Sequence, residues 1–393
     1  MIKRSFLGEN LSFLGFGAMR LPTDEKGNVD EAATFAMVDE AIKGGINYFD
    51  TAYPYHGGKS EVILGKALSR YPRESYYLAD KFPGHQVLSS YDPAAIFEEQ
   101  LDKCGVEYFD FYLLHNVYEH SVSTYVDKRW GILDYLVEQK KKGRIRHLGF
   151  STHAHLECLT EFLDNYGEYM EFCQIQYNYL DKTLQRAEEK YQLLKSRGIP
   201  VIVMEPLRGG KLANLGETAK MLLSEHSREE SPASFAFRYF VDKDNVAVIL
   251  SGMSNMAQLK ENIRIFENPK PLNEAEEATL GCIAEGMKSS VPCTRCGYCT
   301  AGCPMGLDIP LFLSIYNELR VLKNVQSTLP IQFAPEDKKP SACIGCGKCT
   351  VTCPQKIDIP KILGELSDTV DAMPKWADIC REREEAARKC KQN

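Results

Sequence analysis

Four residues that could together move a proton lie at or just after the carboxyl ends of apolar segments. Asp50 ends the run 46–50, and Tyr55 follows it closely. Lys81 and His115 come directly after two later runs. The ends of parallel strands converge on one face of a barrel, so this spacing predicts a common pocket. An ammonium group beside a phenol stabilises the phenolate and lowers a pKa that is otherwise about 10.

In such a pocket the Tyr55 hydroxyl could donate a proton to a carbonyl oxygen while a hydride arrives at the carbon. His115 could be a second donor to the same oxygen, and Asp50 would hold Lys81 and balance its charge. Each residue also has an ordinary interpretation, such as Asp50 capping a turn or Lys81 being a solvated charge. The presence of all four at the predicted strand ends favours catalysis.

The elements that would position these residues follow a regular order. Apolar, β-branched or aromatic runs alternate with segments of helical spacing, for example 32–42 and 93–101, the second with Asp92 as its cap. Eight runs predict an α/β fold, a (β/α)8 TIM barrel. They are residues 14–19, 46–50, 76–80, 109–114, 145–151, 172–176, 201–204 and 246–250. A doubly wound sheet is the alternative, but 15–19 lacks the third glycine of a dinucleotide-binding turn.

Composition narrows the class of protein. The 393 residues fit a barrel of 1–270, a connecting segment of 271–292 and a smaller domain of 293–393. The net charge of −7, with both signs interspersed, argues against nucleic acid or anionic lipid as a partner. No apolar stretch has the length of a signal peptide or a membrane span, so a cytoplasmic location is expected.

Fourteen cysteines are unevenly distributed. Four form the run Cys293-x2-Cys296-x2-Cys299-x3-Cys303-Pro304, and four more repeat it as Cys343-x2-Cys346-x2-Cys349-x3-Cys353-Pro354. A glycine after the second cysteine and an Asp-Ile-Pro after the Cys-Pro also recur, so the segment is an internal duplication. This spacing is typical of [4Fe-4S] clusters. Zinc is the alternative, although the third cysteine and the Cys-Pro disfavour it.

Residues 1–270 resemble the aldo-keto reductase family. The resemblance rests on the Asp-Thr-Ala-x-x-Tyr run that begins at Asp50, on Ser60-Glu61, and on Gly149-Phe150-Ser151. It implies a barrel with a nicotinamide cofactor across its C-terminal face and a catalytic tetrad of Asp50, Tyr55, Lys81 and His115. The implied substrate is a small molecule with a carbonyl or alcohol group.

The same resemblance implies the cofactor contacts. Gly17, Met19 and Asp50 would lie at the nicotinamide, and Ser151 and Gln174 would hold its carboxamide. Met204 would pack on the nicotinamide ring. The run 205–210, with Glu205, Pro206, Leu207, Arg208 and Gly209, matches the segment around the pyrophosphate, and Ser251, Gly252, Gln258, Glu261 and Asn262 match the adenosine end.

Three departures from the family pattern bear on the cofactor. Thr152 replaces a common Asn, and Met204 replaces a stacking Tyr. The Lys and Arg that surround a 2′-phosphate in NADPH-selective members are missing from the matched positions, although Lys260 and Arg264 are near. The choice between NADP(H) and NAD(H) therefore stays open.

The cysteine segment resembles bacterial dicluster ferredoxins, which implies an α+β domain with two [4Fe-4S] clusters. On that pattern one cluster has the ligands Cys293, Cys296, Cys299 and Cys353, and the other has Cys303, Cys343, Cys346 and Cys349. The long stretch 304–342, with an apolar helix at 311–322, is a departure that puts this crossed ligation at risk. A connecting helix is expected at 274–288 and a solvated one at 376–393.

Three functions fit the combination. The first is a nicotinamide-dependent carbonyl reductase or alcohol dehydrogenase whose clusters pass single electrons to a ferredoxin- or flavin-type partner protein. The second is an electron-transfer module with the barrel as a nicotinamide-binding scaffold, and the third is a reductase with structural clusters. Hydride carries two electrons and a cluster one, so a flavin normally mediates, but no flavin motif is visible.

Overall fold

The computed structural model of the chain describes residues 1–86, 90–287, 290–321, 325–376, 378–379 and 381. The chain forms two compact units, Met1–Gly286 and Met287–Asn393. Residues 271–286, which the sequence suggested as part of a connecting segment, are grouped with the first unit.

The first unit is a closed barrel of eight parallel strands, which confirms the predicted (β/α)8 fold. Each barrel strand pairs with the next one along the chain, and the last pairs with the first. The strands are β3 (Leu14–Gly17), β4 (Tyr48–Asp50), β5 (Tyr77–Phe82), β6 (Phe109–Val117), β7 (Ile145–Thr152), β8 (Cys173–Gln176), β9 (Val201–Met204) and β10 (Val246–Ser251). Their buried, largely β-branched and aromatic residues suit strands that are covered on both faces.

An N-terminal hairpin of β1 (Lys3–Phe6) and β2 (Glu9–Ser12), which the sequence did not indicate, precedes the barrel. Phe6 and Leu11 pack against residues inside the barrel, including Tyr48 and Phe111. The guanidinium of Arg4 donates to the carbonyl oxygen of Val246, 2.7 Å away, at the start of β10. The hairpin therefore covers the amino-terminal end of the barrel and leaves the carboxyl ends of the strands for chemistry.

Helices surround the barrel. Asp92 caps α3, as the sequence predicts, by accepting a hydrogen bond from the amide of Ala95 at 3.0 Å, and Asp30 caps α1. The helices of this unit are α1 (Glu31–Lys43), α2 (Lys59–Leu68), α3 (Pro93–Cys104), α4 (Val122–Val126), α5 (Ile132–Lys141), α6 (Leu156–Tyr166), α7 (Asp181–Leu184), α8 (Ala187–Ser196), α9 (Glu217–Ser224), α10 (Pro232–Arg238), α11 (Met256–Ile265) and α12 (Glu274–Met287). The predicted helix 274–288 corresponds to α12, and its last predicted residue is outside the described ranges.

The second unit packs short helices around its own apolar core. The helices are α13 (Tyr298–Ala301), α14 (Ile309–Val321), α15 (Leu329–Gln332), α16 (Lys348–Thr352) and α17 (Ile359–Asp371). Their buried faces include Phe312, Leu313, Leu363 and Leu366. The predicted ferredoxin-type unit is thus largely helical: in its described residues the structure assigns no strand. The cysteine runs instead form turns, with left-handed glycines such as Gly297 before each short helix.

The predicted tail helix 376–393 lies mostly outside the described residues, so it stays a prediction. Within the described ranges, no helix combines the length and the apolar character that crossing a bilayer requires.

Candidate functional site

The structure brings the four predicted catalytic residues together at the carboxyl ends of three adjacent strands. Asp50 is the last residue of β4, Lys81 lies in β5 and His115 lies in β6. Tyr55 opens the 3-10 turn Tyr55–Gly58 that leads into α2. All four side chains are buried, with between 1% and 9% of their surface exposed. The four side chains therefore form one buried group at the carboxyl ends of these strands.

Lys81 is at the centre of the group. Its Nζ lies 2.5 Å from Oδ1 of Asp50 and donates to the carbonyl oxygen of Thr51 at 2.6 Å. The same nitrogen is 5.0 Å from the centre of the Tyr55 ring. The rings of Tyr55 and His115 meet edge to face, with centroids 5.9 Å apart and an interplanar angle of 87°. The phenol thus lies between an ammonium group and an imidazole.

Burial sets the charge state of this pocket. It raises the pKa of Asp50, and the ammonium of Lys81 opposes that shift. Burial lowers the pKa of His115 well below its usual value, and His85 and Lys81 act in the same direction. The imidazole of His115 is therefore neutral at neutral pH, and its Nδ1 atom is buried without a hydrogen-bond partner.

A polar network beside Lys81 contains Gln100 and Asp80, for which the sequence predicted no role, and Glu61, which the sequence gave only as part of the family motif. Gln100 Nε2 donates to Glu61 Oε1 at 2.9 Å and to the carbonyl oxygen of Lys81 at 3.2 Å. Burial raises the pKa values of Glu61 and Asp80, which lie side by side. The charged pair Asp80-Lys81 inside an apolar strand is the sequence feature that could have indicated Asp80.

The predicted nicotinamide end is formed by neighbouring strands. Ser151 of β7 and Gln174 of β8 are direct register partners. Ser151 Oγ accepts a hydrogen bond from the amide of Asn116 at 2.7 Å, whereas Gln174 Oε1 is buried without a partner. Such an orphaned acceptor fits an amide donor from a ligand. A side chain at Gly17 would place its Cβ 3.3 Å from the carbonyl oxygen of Ser251, so that position is close to backbone.

Met19 and Met204 are both partly buried, Met19 in the turn Ala18–Arg20 after β3 and Met204 at the end of β9. After Met204 the chain turns sharply through residues 205–210, and both Glu205 and Arg208 take left-handed φ angles of 56° and 49°. Burial raises the pKa of Glu205, and Arg20 opposes this from 3.6 Å. Pro206 is buried, while Leu207 and Gly209 are partly exposed.

The predicted adenosine end lies where β10 meets α11. Asn262 Nδ2 donates to Ser251 Oγ at 3.1 Å, and Gln258 accepts from the amide of Ser254 at 2.8 Å. Gly252 is exposed, but a Cβ there would lie 3.1 Å from the side chain of Arg20. Glu261 is partly exposed on the same helix.

The eight clustered cysteines line two clefts in the second unit. One cleft of about 300 Å³ is lined by Cys293, Cys296, Cys299 and Cys353. The other, of about 330 Å³, is lined by Cys303, Cys343, Cys346 and Cys349. In both, the fourth cysteine comes from the other run, despite the long segment 304–342. These are the two sets that the ferredoxin resemblance implies.

The thiols surround each cleft and do not converge on one point. In the described residues, no three His, Cys, Asp or Glu side chains are close enough to share a single ion. Burial raises the pKa of Cys299 to about 12, and neighbouring Cys296 and Cys353 act in the same direction. Four thiols around a cleft of this size fit a polynuclear cluster, which binds thiolates and releases their protons.

Comparisons with known proteins agree with both parts of this architecture. Residues 13–280 match the aldo/keto reductase family, and residues 292–358 match a 4Fe-4S dicluster domain. The chain is 30% identical over 300 residues to L-galactose dehydrogenase of Arabidopsis thaliana. This alignment covers 69% of this chain and 89% of that protein. It is 31% identical over 203 residues to the NADH-specific methylglyoxal reductase of Escherichia coli, covering 47% of this chain and 60% of that protein.

A comparison with solved structures also finds an aldo-keto reductase. The holo form of aldo-keto reductase AKR11C1 from Bacillus halodurans aligns with 28% identity and a TM-score of 0.58, covering 72% of this chain and 96% of that chain. The chain therefore belongs to the aldo/keto reductase family, and it carries a C-terminal 4Fe-4S dicluster domain. It is an oxidoreductase, as the sequence predicted.

Proposed function

We propose that the barrel interconverts a carbonyl and an alcohol with NAD(P)H, and that Tyr55 is its general acid and base. The observation that carries this proposal is the buried contact of Lys81 with Asp50 beside the Tyr55 ring. A buried ammonium needs a charged partner to stay charged, and Asp50 supplies it. The ammonium in turn favours the phenolate form of Tyr55, which a scaffold without chemistry would not require.

Each residue has a defined task in the proposed reduction. The nicotinamide, when bound, would supply the hydride. Tyr55 donates its hydroxyl proton to the carbonyl oxygen as negative charge develops there, and Lys81 stabilises the resulting phenolate. His115 donates from its neutral imidazole to the same oxygen and orients it. In the reverse direction the Tyr55 phenolate takes the proton of the alcohol.

The residues present fit a nicotinamide dinucleotide. Ser151 and the unpartnered Gln174 would hold the carboxamide, with Gly17, Met19, Asp50 and Met204 around the ring. The segment Glu205, Pro206, Leu207 and Gly209 would contact the pyrophosphate, and Ser251, Gly252, Gln258, Glu261 and Asn262 would contact the adenosine.

NADH is favoured over NADPH as the cofactor. No positive side chain stands at the matched adenosine positions Ser251, Gly252 and Gln258. A relative is an NADH-specific methylglyoxal reductase, which agrees with this choice. Lys260 and Arg264 are the residues that would bind a 2′-phosphate if NADPH were used.

The second unit would hold two [4Fe-4S] clusters in the two clefts, each with three ligands from one run and one from the other. Such clusters supply one-electron transfer, so the proposed partner is a ferredoxin- or flavin-type electron carrier. A second candidate role is structural, because Cys299 and Cys349 belong to the small buried core of this unit.

The test is made anaerobically on the full-length chain purified with its iron. Oxidation of NADH or NADPH by a series of aldehydes should occur in the wild type and be lost in Tyr55→Phe. The matched control is Tyr77→Phe, at the opposite end of the barrel, where the hydroxyl donates to Glu9. Unchanged turnover in Tyr55→Phe would reject the catalytic assignment.

The visible cluster absorbance in the same experiment separates the two roles of the second unit. Bleaching on addition of a nicotinamide would support electron transfer. Full aldehyde reduction without bleaching, also in the presence of an added ferredoxin or flavodoxin, would support structural clusters.

A further inference from the structure

A buried ion pair joins two loops at the carboxyl ends of the barrel strands. Asp181 begins α7, after β8, and Arg208 lies in the turn after β9. The side chains are 0% and 1% exposed, respectively. Arg208 Nε donates to Asp181 Oδ2 at 3.2 Å, and its Nη2 atom lies 3.2 Å from Oδ1. Arg208 lies within the segment 205–210 that is matched to the pyrophosphate, whereas Asp181 belongs to none of the catalytic or cofactor-contacting groups described above.

Asp181 gathers further hydrogen bonds, and we call this group the Asp181 hub. Gln176 Nε2 and Asn178 Nδ2 both donate to Asp181 Oδ2 at 2.7 Å. Asn178 Nδ2 also donates to the carbonyl oxygen of Glu205 at 3.0 Å. The Asn178 side-chain oxygen accepts from the amide of Asp181 at 2.8 Å. The hub therefore reaches the turn after β9 at two points, Glu205 and Arg208.

Those two points are the strained positions of the turn. Glu205 and Arg208 have left-handed φ angles, which side chains with a Cβ rarely adopt. Such conformations persist only where the surrounding structure fixes them. Here Asn178 fixes the carbonyl of Glu205, and Asp181 fixes the side chain of Arg208.

Stability alone does not account for a buried ion pair. Taking both charges out of water is unfavourable, and a well-packed apolar pair of similar volume is often as stable. The Asp181 hub is instead suited to hold one backbone conformation. Successive amides in mixed right- and left-handed conformations form a concave surface that binds anions. Residues 205–210 are the ones proposed above to contact the cofactor pyrophosphate.

We propose that Asp181 is a positioning residue for the dinucleotide: through Arg208 and Asn178 it holds residues 205–210 in the conformation that binds the pyrophosphate. This inference rests on the proposed nicotinamide function of the barrel. It assigns Asp181 no contact with the substrate or with the reacting atoms.

The decisive variant replaces the pair by apolar side chains, Asp181→Leu with Arg208→Met, in the full-length chain. Calorimetric titration with NADH and with ADP-ribose, which has the pyrophosphate but no nicotinamide, should show both affinities reduced by about tenfold or more. The unfolding temperature should stay close to that of the wild type. At saturating NADH, kcat should stay within about twofold while KM for NADH rises.

The matched control is an ion pair at the opposite end of the barrel, between the buried carboxylate of Asp110 and the partly exposed guanidinium of Arg73. Arg73 Nη2 lies 2.6 Å from Oδ2 of Asp110, near the start of β6. Arg73→Met with Asp110→Leu should leave the binding of NADH and ADP-ribose unchanged. If the Asp181 double variant does not fold, Asn178→Ala releases the Glu205 carbonyl, keeps the ion pair and should weaken both ligands.

The outcomes are distinguishable. Wild type that binds none of NADH, NADPH and ADP-ribose would reject the proposed function and the positioning role with it. If the wild type binds both NADH and ADP-ribose and the folded variants of the Asp181 hub bind them with affinities within twofold of the wild type, the positioning role alone is rejected. Weaker binding of NADH without weaker binding of ADP-ribose would also reject it, because the effect would then not involve the pyrophosphate.

Discussion

The Nζ atom of Lys81 lies 2.5 Å from Oδ1 of Asp50 in a region that water hardly reaches. Lys81→Met should remove this contact and leave the Asp50 carboxyl buried alone. Losing one partner of a buried pair costs about 3–5 kcal/mol of folding free energy. Carbonyl reduction should fall at least about 100-fold, because the Tyr55 phenolate loses its stabilising charge.

The double variant Lys81→Met with Asp50→Leu separates stability from catalysis. Removing both charges should restore most of the unfolding free energy, measured by denaturant titration, but none of the activity. Recovery of turnover in the double variant would contradict the assigned role of Lys81.

Much of this site was predictable from the sequence because its residues are tied to strand ends. Asp50, Lys81 and His115 each lie at or near the end of an apolar run, and parallel strands bring such positions together. The Asp181 hub was not predictable in this way. Asp181 and Arg208 belong to different loops, and only the folded barrel places their side chains in contact.

The fold also divides into elements that the sequence predicted and elements that it did not. The eight barrel strands correspond to the eight predicted runs, which are predominantly apolar, β-branched or aromatic. The hairpin β1–β2 was missed because its short strands mix polar with apolar residues, and Phe6 and Leu11 are buried only once the barrel exists. In the second unit the ferredoxin resemblance implied the two sets of cysteines, and the apolar helix predicted at 311–322 corresponds to α14. The sequence did not indicate that the described residues of this unit would contain no strand.

Gln174 offers a test of the nicotinamide end that is independent of the Asp181 hub. Its Oε1 atom is buried without a partner, so Gln174→Leu should leave the unfolding temperature equal or slightly higher. Affinity for NADH should fall about five- to tenfold, the worth of one hydrogen bond, while affinity for ADP-ribose stays constant. Equal losses for both ligands would place Gln174 away from the carboxamide.

Histidines in the pocket make the barrel sensitive to acid. Burial lowers the pKa of His85 from 6.5 to about 4, and its ring centre is 4.2 Å from that of His115. Between pH 6.5 and 4 the unfolded chain binds more protons at His85 than the folded chain does, so stability falls as the pH drops through this range. The loss from His85 should be about 3 kcal/mol or less at the lower end.

His85→Gln should therefore partly flatten the dependence of the unfolding temperature on pH between 7 and 5, while His115 keeps its own lowered pKa. The control is His226→Gln, an exposed histidine hydrogen-bonded to Thr279 at 2.8 Å. If the unfolding temperature of His85→Gln changed with pH as steeply as that of the wild type, His85 would not be the source of the acid sensitivity.

The arrangement of cysteines around the two clefts predicts a pattern of iron loss that local ligation would not give. Cys353 shares a cleft with Cys293, Cys296 and Cys299, and Cys303 shares the other cleft with the second run. Cys293→Ser with Cys353→Ser should remove one cluster only, because both substitutions affect the same cleft. Cys303→Ser with Cys353→Ser should affect both clusters.

Iron and sulfide content, with electron paramagnetic resonance of the reduced protein, measures the number of clusters in each variant. If each run instead supplied all four ligands of its own cluster, Cys293→Ser with Cys353→Ser would affect both clusters. Thermal unfolding of the same variants then tests the structural role, because Cys299 and Cys349 lie in the core of the second unit. Loss of both clusters should unfold that unit and leave the barrel transition in place.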